Sequence, residues 1–153
     1  MAEREWTNFK NNKKRNINIL RVSGIYHKKN NIPKRRLKTK FYIKEKKYFS
    51  RIRIEDLANI IKALFFSSKK SLILNASDDK PSTNIEVAKY AANLLKIKNL
   101  NAVSISSFKN QMMKEFYKDS KKVSNKIMKN KLKIKLKYPT YKQGLKNIFN
   151  EYR

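Results

Sequence analysis

The chain has no cysteine, one histidine, two glycines and three prolines among its 153 residues. Without cysteine there are no disulfides and no thiolate chemistry. With His27 as the lone imidazole, metal binding falls to carboxylates, and these stand in adjacent pairs, Glu55-Asp56 and Asp78-Asp79. Neighbouring acids on a helix point apart, and adjacent turn acids cap backbone amides, so no metal site is predicted. Two glycines, Gly24 and Gly144, are too few for a P-loop or a G-x-G-x-x-G loop, and no serine stands in a G-x-S-x-G context. No apolar run reaches the roughly eighteen residues that a spanning helix needs, so no membrane is expected as a partner. The opening segment MAEREWTNFKNNKKRN lacks the apolar core of a secretory signal. These absences point to the cytoplasm.

Acidic residues are also scarce. Eleven of them face 39 lysines and arginines, a net charge of +28. Such a chain should bind polyanions non-specifically whatever its fold. The bases are mostly lysine, and asparagine and isoleucine are abundant too. That trio is what an AT-rich genome encodes, so a solvated lysine surface accounts for much of the charge. Arginine, whose planar fork pairs with phosphate oxygens, is the usual choice for specific phosphate recognition. The segment Lys38–Phe49, KTKFYIKEKKYF, interleaves cations with aromatic rings, which suits phosphates and stacked bases. The plainer reading of the same string is an edge strand with its rings turned inward and its lysines in water. No ribonucleoprotein-type or helix-turn-helix pattern decides between the two.

Hydrophobic content of 40% is in the globular range, and the length suits a single domain with a modest core. Trp6 and Phe9, three apart, predict a helix face. Ile17–Val22 predicts a buried strand, and Gly24 a turn after it. Tyr26–Lys47 reads as a basic loop with a short helix, and Tyr48–Ile54 as a short strand. Leu57, Ile60, Ile61 and Leu64 mark one face of a helix over Glu55–Phe66. Leu72–Leu74 reads as a strand, and Asp78-Asp79-Lys80-Pro81 as a turn. Thr83 with Glu86 predicts a capping box for a helix to Leu95, with Val87, Tyr90, Ala91 and Leu94 inward. A strand at Val103–Ile105, a helix at Phe108–Tyr117 and a helix from Ser124 to Leu132 follow. Lys131–Tyr138, KLKIKLKY, has a period of two, with Leu132, Ile134, Leu136 and Tyr138 on one face. Thr140 with Gln143 predicts a second capping box, opening the last helix. Strands alternating with helices predict an α/β fold.

Three strings then stand in a fixed order: FSRIRIEDLA (Phe49–Ala58), LILNASDDKPS (Leu72–Ser82) and YPTYKQGL (Tyr138–Leu145), preceded by ILRVSGIY (Ile19–Tyr26). In that order they resemble the C-terminal half of an extended short-chain dehydrogenase/reductase, the NAD-dependent epimerase/dehydratase family. The resemblance runs from about the first helix to Ile148. It implies the C-terminal end of a Rossmann-like sheet with a small substrate-binding lobe, residues 1–153 forming one partial domain. The family's Gly-rich dinucleotide loop and its catalytic Tyr-x-x-x-Lys pair lie upstream of the matched strings, so no residue here is assigned a catalytic role. The resemblance places Ser23, Gly24 and Tyr26 beside the nicotinamide of NAD or NADP. It assigns Phe49, Arg51 and Arg53 to substrate binding. Phe49 stands where family members often carry a phosphate-gripping arginine, and Arg53 where they carry a histidine. Tyr26 is followed by His27-Lys28 rather than the family's Gly-Pro. Asp56 matches a family aspartate expected to cap and orient the following helix. The implied activity is that of an NAD(P)-dependent epimerase/dehydratase-like oxidoreductase on a sugar-like or small hydroxylated substrate. Without its cofactor half the chain is expected to be inactive and to bind no dinucleotide. Its expected partner is an N-terminal Rossmann half or another copy of itself. The alternative is a small basic protein associated with nucleic acid.

Overall fold

A computed structural model describes residues 2–13, 17–28, 41–68 and 71–151. Helix α1 (Ala2–Lys13) leads to strands β1 (Ile19–Val22) and β2 (Gly24–Tyr26). Strands β3 (Phe41–Ile43), β4 (Tyr48–Phe49) and β5 (Arg51–Arg53) precede helix α2 (Ile54–Phe65). Then come β6 (Ile73–Ala76), β7 (Ser82–Thr83), α3 (Asn84–Leu94) and β8 (Asn101–Val103). A 3-10 turn (Ile105–Ser107) and helices α4 (Gln111–Lys118), α5 (Lys126–Leu132) and α6 (Tyr141–Asn150) complete the chain. No helix among the described residues is long and apolar enough to cross a membrane.

The described strands pair two by two. β1 runs parallel to β6, with Ile19 opposite Ile73 and Val22 opposite Ala76. β2 runs parallel to β5, with Gly24 opposite Arg51 and Tyr26 opposite Arg53. β3 runs parallel to β8, and β4 lies antiparallel to β7. The chain changes partner between β1 and β2. Ser23 N donates to Ala76 O at 3.0 Å, and Gly24 N donates to Ser50 O at 3.2 Å. Gly24 therefore continues an extended segment, where a turn was expected, because β5 supplies a second ladder just where β6 ends. Tyr48–Ile54, expected as one strand, is two short ones interrupted at Ser50, whose hydroxyl accepts from Val123 N. The stretch expected as a loop to Lys47 holds β3 in its described part; residues 29–40, where the short helix was expected, lie outside the described residues. The strand expected at Val103–Ile105 falls earlier, and Ser104 instead opens the 3-10 turn by accepting from Ser106 N.

Two apolar clusters hold these elements. Tyr26, Val87, Ala91, Tyr141, Leu145 and Ile148 join β2 to α3 and α6. Ile52, Leu57, Ile60, Leu74, Ala76 and Met128 join β5, β6, α2 and α5. Helix α3 starts on the predicted capping box: Thr83 Oγ1 accepts from Glu86 N, and Glu86 Oε2 accepts from Thr83 N at 2.7 Å. At α6 the box is only half made. Thr140 Oγ1 accepts from Lys142 N, and its hydroxyl meets Gln143 Oε1. The segment after α5 keeps its predicted faces without becoming a strand. Ile134 and Leu136 pack on the second cluster, Tyr138 is buried, and Lys133, Lys135 and Lys137 are in solvent.

The strand expected to be buried, Ile17–Val22, is not. Val22 is 44% exposed and Arg21 is in solvent, because β1 has a single ladder partner, β6, among the described residues. Arg21 Nε donates to Glu3 Oε2 at 3.0 Å and ties α1 to this strand. Trp6 and Phe9 meet edge to face at 6.0 Å, and both remain exposed.

Candidate functional site

β1 and β6 run parallel and end together, at Val22 and Ala76. In open α/β sheets the crevice beyond the carboxyl ends of the strands, where the strand order switches, is the usual ligand site. Ser23, Gly24, Ser77 and Asp78 occupy that position here, and the switch of partner from β6 to β5 happens at Ser23-Gly24. Ser23 is half-buried and Gly24 exposed. Strand alternation then sends Ile25 and Tyr26 to opposite sides. Ile25 is 46% exposed on the open side, while Tyr26 is buried under α3 and α6. Of the three residues assigned to the nicotinamide, Ser23 is half-buried and Gly24 exposed at the strand ends, and Tyr26 faces the lobe interior.

Phe49, Arg51 and Arg53 lie close together, on β4 and β5, and each is engaged within the protein. Phe49 stacks on Phe116 of α4, with centroids 5.5 Å apart and planes 3° apart. Arg51 is buried and donates from Nη1 to Phe49 O at 2.9 Å and Ser82 O at 3.0 Å, binding β5 to the β4–β7 pair. Arg53 is 1% exposed. Its Nε lies 2.6 Å from Glu55 Oε2, and its Nη2 donates to Glu55 Oε1 at 2.8 Å and Asn147 Oδ1 at 3.2 Å. The guanidinium carbon lies 5.3 Å from the Tyr138 ring centroid and 6.0 Å from that of Tyr26. It thus joins β5 to the loop before α6. A carboxylate, an amide and two ring faces hold this buried charge, while its Nη1 finds no hydrogen-bond partner among the described residues. The space between Tyr26, Arg51, Val87, Tyr141 and Leu145 is packed too tightly to hold a water molecule.

Asp56, expected to cap α2, does something else. The N-cap of α2 is Arg53, with no side-chain cap bond. The buried Asp56 carboxylate instead accepts from two backbone amides of the loop before α6, Lys137 N at 2.7 Å and Tyr138 N at 2.8 Å. Only its place in α2 was visible from the sequence; its partners lie far along the chain.

Asp78 is the least expected group. Its Oδ1 accepts from Lys80 N at 3.2 Å, while its buried Oδ2 finds no partner among the described residues. Burial pushes its carboxyl up to about 7, against the Lys80 N–H bond and the Arg51 charge, which favour ionisation. Tyr26, buried near it, also has an Oη without a hydrogen-bond partner among the described residues. Burial, and then the Asp78 carboxylate, push that phenol well above its ordinary value. Because folding raises the Asp78 pKa, the folded state holds this proton at pH values where the unfolded chain has lost it. Stability from this group is full below about pH 4 and falls as pH rises toward about 7, by a few kcal/mol. Asp78→Asn is therefore expected to stabilise the protein at pH 8 and to flatten this decline. Urea unfolding of both proteins at pH 5 and pH 8 checks it; parallel declines would show that Asp78 is not the cause.

Next to it, Asp79 is compensated: Lys129 Nζ donates to both of its oxygens at 3.0 Å, and Asn125 Nδ2 to Oδ1 at 2.7 Å. Among the described residues, no group of three or more histidines and acids is placed to hold a metal ion. Three Tyr-x-x-x-Lys spacings occur, at Tyr42–Lys46, Tyr117–Lys121 and Tyr138–Lys142. None lies within one helix, which is what would set both side chains on one face: Tyr42 is in β3, Lys121 follows α4, and Tyr138 precedes α6.

No family model matches the chain, and no curated protein matches it. Solved structures do. A conserved protein of unknown function from Silicibacter pomeroyi aligns over 88% of this chain and 49% of its own, at 29% identity and a TM-score of 0.81. A human epimerase family protein solved with NADPH aligns over 87% of this chain and 48% of its own, at 18% identity and a TM-score of 0.74. The UDP-glucose 4-epimerase of Thermotoga maritima, solved with UDP-glucose, aligns over 99% of this chain and 50% of its own, at 13% identity and a TM-score of 0.74. The chain spans about half the length of the solved structures it matches. Its fold is the mixed α/β, Rossmann-like fold of the NAD-dependent epimerases and dehydratases, over about half of their length.

Proposed function

We propose that this chain is the C-terminal, substrate-side half of an NAD(P)-dependent epimerase/dehydratase-like oxidoreductase acting on a sugar-like or small hydroxylated substrate, and that these 153 residues do not catalyse the reaction by themselves. The observation that carries this reading is the uncovered side of β1. Parallel sheets are ordinarily buried on both faces. Here β1 has one ladder partner among the described residues, and Val22, Ile25, Ile73, Trp6 and Phe9 leave apolar surface around it. A Rossmann half supplying the next strand would cover that edge; a second copy is the other candidate. At the strand ends, Ser23, exposed Gly24 and Ile25 suit one wall of a nicotinamide site. The pyrophosphate cradle is a different matter. It needs a Gly-rich turn at a helix N-terminus, and neither Gly24 nor Gly144 stands in one. Hydride transfer requires the whole cofactor held in place, so the residues here do not suffice for it.

Calorimetric titration of the purified chain with NAD and with NADP is expected to show no saturable binding. Amide hydrogen exchange should be fast over β1 and slow over α3. Saturable, salt-independent binding of either dinucleotide would overturn the claim of inactivity. Slow exchange throughout a monomer would overturn the uncovered half.

A further inference from the structure

We propose that the face formed by β4 and helix α4 binds single-stranded nucleic acid, with the Phe116 ring as a stacking platform for a base and the surrounding lysines neutralising phosphates. This goes beyond the oxidoreductase reading and does not depend on it. Phe116 is 63% exposed, and Met112, one turn earlier on α4, is 77% exposed. Such a ring would ordinarily be free to turn. Here it is held flat against Phe49 and braced edge-on by Tyr117, with centroids 5.0 Å apart. A fixed aromatic face open to solvent is what base stacking needs, because little freedom is lost when a base arrives.

Cations are held along β4 and the segment that follows α4. Lys122 Nζ lies 4.0 Å from the Tyr48 ring centroid, and Lys47 Nζ donates to Lys118 O at 3.0 Å. The segment after α4 runs beside β4, with Lys121 N donating to Tyr48 O at 2.9 Å, which sets Lys121 and Lys122 beside that strand. Two acids stand among them. Asp119 is paired to Lys121 at 2.6 Å, and Glu115 accepts from Gln111 Nε2. Residues 109 to 122 carry five lysines and two acids, and so keep a net positive charge of three.

Charge selects the occupant. A second copy of this chain carries the same +28 and offers these lysines no excess of acid. A purely apolar partner would leave the lysines unmatched. Duplex DNA offers phosphates but keeps its base faces stacked inside. A single strand offers both, and its recognition by ring faces is tolerant of sequence.

The test is fluorescence anisotropy on the intact chain with a labelled oligothymidylate of about sixteen nucleotides, a duplex of equal length, and inorganic polyphosphate as a competitor without bases. The single strand is expected to bind tighter than the duplex. Phe116→Ala is expected to weaken oligothymidylate binding roughly 5- to 100-fold while leaving polyphosphate competition unchanged. Phe116→Trp should retain binding, with quenching of the new indole on addition of the oligonucleotide. An unchanged affinity in Phe116→Ala, an equal loss for polyphosphate, or an unquenched indole in Phe116→Trp would each overturn the proposal and leave lysine charge as the whole of the polyanion affinity.

Discussion

Asp56→Ala is expected to destabilise the fold by about 3–5 kcal/mol, the sum of two lost hydrogen bonds to a charged acceptor. Both carboxylate oxygens are in use, one on Lys137 N and one on Tyr138 N, and the side chain is buried. Truncation leaves two backbone donors without the carboxylate that accepts from them. The loop they belong to carries Ile134 and Leu136 into the second cluster and sets Tyr138 against Arg53, so its release loosens both. Domains of this size are held by roughly 5–15 kcal/mol, and the loss is a large part of that. Asp56→Asn should recover less than half, because its amide nitrogen faces an N–H donor. Urea unfolding of the three proteins measures this. A loss below about 0.5 kcal/mol in Asp56→Ala, the range of an ordinary surface substitution, would show that water enters and replaces the clamp.

Gly144→Ala is expected to be destabilising by about 1–3 kcal/mol, against the direction that helix propensity predicts. In an open helix this change gains up to about 1 kcal/mol. In α6, however, the new methyl would collide with Tyr26 Oη and stand 2.8 Å from its Cζ and 2.9 Å from its Cε2. Tyr26 is enclosed by Val87, Ala91, Tyr141 and Leu145, so the ring cannot swing aside cheaply. The pairing is specific enough for a double-mutant cycle. Tyr26→Phe removes the atom nearest the methyl, and that hydroxyl has no hydrogen-bond partner among the described residues. The double variant should therefore regain part of the loss, while Tyr26→Phe by itself should be close to neutral. A stabilised Gly144→Ala protein would mean that Gly144 has no packing role.

What was legible in the sequence is what the chain settles within a few residues. The Thr83–Glu86 box closes over one helical turn, so its two residue types at that spacing predict it outright. Of the predicted stripe of α2, Leu57, Ile60 and Leu64 turn inward as the helical period requires, while Ile61, at the edge of that stripe, is 52% exposed. KLKIKLKY shows the limit of such reasoning. Its alternation indicated which side chains turn inward, yet its first two residues end α5 and, among the described residues, no strand pairs with the rest.

The order of the matched strings was enough to indicate the fold. The candidate site was only partly legible. The sequence by itself placed Arg51, Arg53 and Asp56 in one short stretch, and it showed a strong excess of positive charge. Only the tertiary structure decided that Arg53 lies between two tyrosines, that Asp56 clamps a loop beyond its own helix, and that Gly144 makes room for Tyr26. It also turned Gly24 from an expected turn into a strand, and set Phe116 on Phe49. The physical reason is the same in each case. A cap or a helical stripe is fixed by backbone geometry that every chain shares. A buried polar group or a close approach takes its meaning from whichever distant residue the fold brings against it, and no spacing in the sequence records that distance.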